Sequence, residues 1–225
     1  VVVGNPPYNV GQLNENDNNK NRRYPAVEKR IKETYVKASA ATNKIALYDA
    51  YVKFFRWATD RLGDRDGVLC FVSNNGFLDG VAFDGFRKDL QETYAKVYHF
   101  DFKGNARTSG ERRRREGGNI FLDQIRVGVG ITILVKKGGR RKAADIHYHV
   151  VGDYWKAERK AEYLNSFADY AAVPWRRLRP DARHTWLVPP GQDTFAAFVP
   201  LGTKEAKRLT RGLSPLSGTV FCVYG

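Results

Sequence analysis

Four consecutive residues near the start of the chain, Asn5-Pro6-Pro7-Tyr8, are the ones whose types could do chemistry together. An amino group conjugated to an aromatic ring is a poor nucleophile because its lone pair is delocalised. Two fixed acceptors change that: the Asn5 side-chain oxygen can take one N–H and the Pro6 carbonyl the other. Pro7 has no N–H to donate and keeps the turn rigid, and proline confines the residue before it to extended conformations. So held, the nitrogen is drawn toward tetrahedral geometry with its lone pair free to attack an electrophile. Tyr8 adds a face on which a base can stack, worth roughly 1–3 kcal/mol.

Such a turn needs a platform. Val1 to Gly4 reads as a buried parallel strand, which two prolines must end because they cannot continue a ladder. The turn then sits at a strand's carboxyl end, the usual place for ligands in open α/β sheets. After a loop rich in Asn, Gly and Asp (Asn9 to Lys20), charges spaced along Tyr24 to Lys37 suit an exposed helix. Leu47, Tyr51, Phe54, Phe55, Ala58 and Leu62 share one face of a covering helix. Gly67 to Ser73 is predicted as a strand, Phe83 to Tyr94 as a helix and Lys96 to Phe102 as an alternating strand. Ile125 to Lys136 follows as a long strand, and the Gly138-Gly139 turn leads to Asp145 to Val151 as its hairpin partner. Beyond residue 152, Asp153 to Phe167 looks helical.

N-P-P-Y after an apolar strand resembles the catalytic motif of the amino-methyltransferases that use S-adenosylmethionine, most of all the N6-adenine-specific DNA methyltransferases. Gly67-Val-Leu-Cys-Phe-Val-Ser-Asn-Asn-Gly-Phe-Leu-Asp79 resembles that family's next core strand and its loop. Asn119-Ile-Phe121, followed by Gln124 to Lys137, resembles the later strand that carries a second base-contacting position. The likeness covers roughly residues 1–150 and is nearest to the methyltransferase part of large single-chain restriction-modification enzymes. It implies an α/β fold in residues 1–151: the C-terminal half of a doubly wound Rossmann-like methyltransferase sheet with a terminal antiparallel hairpin. Residues 152–225 are then expected to begin a DNA target-recognition domain. It also implies S-adenosylmethionine as cofactor, double-stranded DNA as partner, and catalysis at Asn5, Pro6, Pro7 and Tyr8, with Asn5 also touching the cofactor. Phe121 would close on a flipped base opposite Tyr8.

In the family, a glycine-rich loop for the methionine part of the cofactor precedes the N-P-P-Y strand. Here the strand comes first and the chain contains no Met, so a fragment is expected, with a missing N-terminal portion of the same polypeptide holding the cofactor half. Gly76, Gly80 and Gly85 follow the wrong strand to replace it.

The composition agrees with a polyanionic partner: 38 basic against 24 acidic residues give a net charge of +14. Apolar runs of about 18 residues, needed to span a membrane, are lacking. Cys70 and Cys222 read as buried thiols in a reducing cytoplasm. Arg112, Arg113, Arg114 and Arg115, in a glycine-flanked loop, could track phosphates. Trp175, Arg176 and Arg177, with Arg179, Arg183 and Trp186, could contact phosphates and stack on bases, or dock into a core below a solvated basic face. His99, His147, His149 and His184 lack ligand spacing, so no metal site is expected. Protein-glutamine N5-methylation, cytosine-N4 methylation and a non-catalytic DNA-binding specificity fragment remain alternatives on the sequence alone.

Overall fold

The computed structural model describes residues 1–7, 23–121, 125–139 and 142–188. Six strands form one mixed sheet: β1 (Val2–Gly4), β2 (Gly67–Asn74), β3 (Lys96–Asp101), β4 (Val129–Lys136), β5 (Asp145–Val150) and β6 (Arg176–Leu178). Their spatial order is β1-β2-β4-β3-β5-β6. β1 and β2 are parallel, as are β3 and β5, whereas β4 runs antiparallel to both β2 and β3. The helices are α1 (Pro25–Ile31), continued by a π-helical turn Lys32–Val36, then α2 (Ala50–Leu62), α3 (Asp84–Thr93), α4 (Gly110–Glu116) and α5 (Ala157–Asn165). Among the described residues no helix is long and apolar enough to cross a membrane.

The expected hairpin between β4 and β5 is not formed. β4 inserts between β2 and β3, and β5 pairs with the far side of β3. Burial explains the choice. Only Lys96 of β3 is exposed, and the strand packs on both faces. Its expected alternation is absent because Val97 faces the larger core while Phe100 faces the smaller one. A strand covered on both faces needs a neighbour on each edge, and β4 and β5 supply one each.

The larger core lies under α1, α2 and α3, where Phe55 packs edge-on against Phe71 and Phe86, with Phe77 nearby. The α2 face matches the predicted stripe except at Phe54, which is 42% exposed because Phe55 takes the inward position. On the opposite face, α5 and the segment after it bring Tyr163, Phe167 and Trp175 against Phe100 and Phe102. Residues Val1–Leu187 form one compact unit, so residues 152–187 fold onto the same sheet. Of the second unit, Val188–Gly225, only Val188 is described.

Two local expectations change as well. β1 is parallel as predicted but not buried: it is the outermost strand among the described residues, and Val3 is 73% exposed. The four arginines lie in α4 and not in a loop: Glu and Arg are good helix formers, Glu111 pairs with Arg114 and Arg115 one turn on, and Gly117 at φ +65° ends the helix. Cys70 is half-buried on β2, and burial raises its thiol pKa; Cys222 lies outside the described residues.

Candidate functional site

Because β1, β2, β3 and β5 all run in one direction, their carboxyl ends share one edge of the sheet, where antiparallel β4 begins. Asn5 and the buried Pro6 leave β1 at this edge. Gly4 pairs with Phe71, and a Cβ there would press on the Phe71 ring at 3.1 Å, so the glycine allows β1 its approach. Tyr8 lies outside the described residues.

At the end of β2, Asn74 Oδ1 accepts from Gly76 N at 2.7 Å and tightens the turn, while Asn75 N donates to Gly128 O at 2.9 Å and ties the turn to the entry of β4. Asn75 Nδ2 donates to Asp101 Oδ1 at the end of β3, and Asp101 also accepts from Lys103 N and from Tyr148 OH, each at 2.7 Å. Burial pushes the Asp101 carboxyl up to about 6 against the pull of these donors, and it raises Tyr148 as well. Beside this network opens a cleft of about 360 Å³, lined by Asp49, Tyr51, Asn74, Asn75, Asp101 and Arg112, among others. The Tyr51 hydroxyl is buried there and has no hydrogen-bond partner among the described residues. Asn5 and Phe121 are not among the lining residues.

Phe121 is 46% exposed. Its N–H donates to Asn119 Oδ1 at 3.1 Å, and Asn119 Nδ2 donates to Val127 O at 3.0 Å, which anchors the aromatic just before β4.

The arginines of α4 are held rather than free. Arg114 and Arg115 pair with Glu111, Arg112 reaches Asp79 at 3.4 Å, and Arg113 donates to Gly117 O at 2.9 Å. Pairs this exposed are screened by solvent and hold the arginines only weakly.

Trp175, Arg176 and Arg177 are elsewhere. Their strand, β6, is at the sheet edge opposite β1, roughly 24 Å away over five strand spacings. Trp175 is docked, its Nε1 donating to Tyr170 O and its ring meeting Tyr98, Phe100 and His149. Arg176 lies over the Tyr148 ring, and Arg177 pairs with Asp145 at the amino end of β5. Trp186 is 1% exposed in the larger core. Asn75, Asp101, Tyr148 and Lys160 carry no local pattern that marks them for the site; an acid closing an apolar strand, as Asp101 does, is the one signal the sequence offers.

Gly80 and Gly85 do not form a glycine-rich cofactor loop. A Cβ on Gly80 would lie 2.5 Å from Gly76 O and one on Gly85 would overlap Tyr35 O, so these glycines serve packing.

The described chain thus carries an N-P-P turn at the carboxyl end of a parallel strand in an α/β sheet. Residues 1–107 match the model described as Eco57I restriction-modification methylase. Similar solved structures extend the likeness over most of the chain. The DrdV–DNA complex, determined by electron cryo-microscopy, is 50% identical with a TM-score of 0.76, over 85% of this chain and 18% of that one. A nuclease-deletion mutant of the Type ISP restriction-modification enzyme LlaGI, in complex with a DNA substrate mimic, is 40% identical with a TM-score of 0.79, over 86% and 16%. The ATP-dependent Type ISP restriction-modification enzyme LlaBIII bound to DNA is 33% identical with a TM-score of 0.81, over 90% and 13%. The chain thus spans less than a fifth of the length of each. Curated protein sequences gave no match.

Proposed function

We propose that this chain is the acceptor side of a DNA methyltransferase within a restriction-modification enzyme, acting on the N6 amino group of adenine in duplex DNA. The observation that carries the reading is Asn5-Pro6-Pro7 at the carboxyl end of β1, inside the part that matches the methylase model. S-adenosylmethionine, when bound, supplies an electrophilic methyl group on a sulfonium. The chain's own residues hold the acceptor. Asn5 Oδ1 and the Pro6 carbonyl take the two N–H bonds of an extruded adenine, which turns its lone pair out of the ring plane. Their contribution is positioning and stabilisation of developing charge. Tyr8 and Phe121 close on the base, whose removal from the stack costs a few kcal/mol.

Three features support the wider reading. The DrdV, LlaGI and LlaBIII structures contain DNA or a mimic of it, and the net charge of +14 suits the same partner. The open edge of β1 suits further strands of the same polypeptide carrying the methyl-donor half. The basic segment from residue 152 onward is read as the start of target recognition.

Transfer of labelled methyl groups to duplex DNA by the enzyme that carries this segment tests the proposal. Asn5→Ala is expected to lower kcat by about 100-fold with little change in DNA affinity, and nucleoside analysis of the product is expected to give N6-methyladenine. Undiminished transfer by Asn5→Ala, or label found on cytosine or on protein glutamine, overturns it.

A further inference from the structure

We propose that Lys160 is a positioning residue that sets the arginine helix and Phe121 as one unit; the inference rests on the DNA-methyltransferase reading above. Lys160 lies on α5, between β5 and β6, yet its side chain is fully buried and points at a different part of the chain. Its Nζ donates to Glu116 O at 2.9 Å and to Gly118 O at 2.6 Å.

Each acceptor has a distinct consequence. Glu116 closes α4, so its carbonyl belongs to the set that a helix leaves without an internal partner, and a cation there also meets the negative end of the helix. Gly118 immediately precedes Asn119, whose amide holds the Phe121 N–H. One ammonium therefore fastens the end of the arginine helix and the start of the segment bearing Phe121.

The backbone before α5 reinforces this grip. Tyr154 N donates to Arg115 O at 3.1 Å, and Gly118 N donates to Trp155 O at 3.3 Å. Gly117 has φ +65°, and a Cβ on it would overlap Trp155 O, so this turn accepts only glycine. Burying an ammonium is costly, and burial lowers the Lys160 pKa to about 8. An apolar side chain would fill the space without that cost but could not donate to two carbonyls two residues apart. The arrangement makes the segment between β5 and β6 a brace for the one that carries α4 and Phe121.

Hydrogen exchange and duplex-DNA titrations on the full 225-residue chain test the proposal with Lys160→Met, Arg114→Ala and the double variant. Lys160→Met is expected to speed exchange of amides 117–121 by about tenfold or more, the loss of two charge-assisted bonds, while β2 and β4 amides stay protected. Its loss of DNA affinity should be less than additive with that of Arg114→Ala, because both act through α4. Lys160→Arg, which keeps a buried cation and its donors, should restore protection at 117–121. Unchanged exchange at 117–121, acceleration spread evenly over the sheet, or additive affinity losses would each overturn the proposal. If Lys160→Met does not fold, failure of Lys160→Arg to protect 117–121 relative to Lys160→Gln overturns it. Absence of DNA binding by the unsubstituted chain at low salt counts against the methyltransferase reading, while the exchange arm still decides the role of Lys160.

Discussion

Asn75 Nδ2 donates to Asp101 Oδ1 across the strand that separates them. Asn75 follows β2 and Asp101 ends β3, with β4 lying between, so the bond arches over Gly130, whose register partners are Ser73 on one side and Asp101 on the other. A side chain at position 130 would occupy the path. The network that shapes the floor of the cleft therefore depends on a missing Cβ in the middle strand.

Gly130→Ala tests that dependence. The added methyl would overlap His99 Nε2 and lie 2.6 Å from Asn75 Oδ1, both in a buried setting. Denaturant unfolding should show a loss of about 1–3 kcal/mol, typical of overpacking. Gly118→Ala, whose Cβ would meet nothing closer than 3.5 Å, should be far milder.

Asp101 should leave a signature in the acid range. Its folded pKa, about 6, lies above that of an unfolded aspartate, so the folded state binds the proton more tightly. The resulting stabilisation is complete below about pH 4 and is lost as pH rises through about 6. Unfolding midpoints of the chain and of Asp101→Asn, measured from pH 4 to 7, should differ in slope over that window. Parallel curves would show that the carboxyl does not titrate in its buried site.

Glu111 competes with DNA for the arginines. It accepts from Arg114 and Tyr154 and pairs with Arg115 at 3.5 Å. Glu111→Ala should therefore raise affinity for duplex DNA by up to about fivefold at low salt, the value of an exposed pair. The dependence of affinity on salt should steepen, whereas Arg114→Ala should flatten it by about one unit of slope. No change in either variant would place α4 outside the DNA interface.

The parts of the site legible in the sequence are those whose physics is local. Two prolines after an apolar run end a strand wherever it is placed, so the position of Asn5 and Pro6 at a strand's carboxyl end followed from their types. The inward face of α2 followed from spacing, except at Phe54, where periodicity alone could not say how wide the buried stripe is. Glycines at each end of the arginine run suggest a loop from the sequence. In the fold Gly110 opens the helix and Gly117 lies just past it, so no glycine interrupts the turns that the ion pairs of Glu111 span.

What the sequence by itself determined is a strand-ending Asn-Pro-Pro motif, a basic chain and the helices and strands that repeat a simple period. Tertiary structure alone decided which strands are neighbours. The turn after β4 was compatible with a hairpin, but β3 is buried on both faces and bonded on both edges, which placed β4 on one side of it and β5 on the other. That arrangement put β6, with Trp175 docked and Arg177 engaged by Asp145, at the edge away from Asn5. It also brought Asn75 to Asp101 and Lys160 to Gly118, pairs 26 and 42 residues apart. No local pattern encodes such contacts, because each exists only once the sheet order is set.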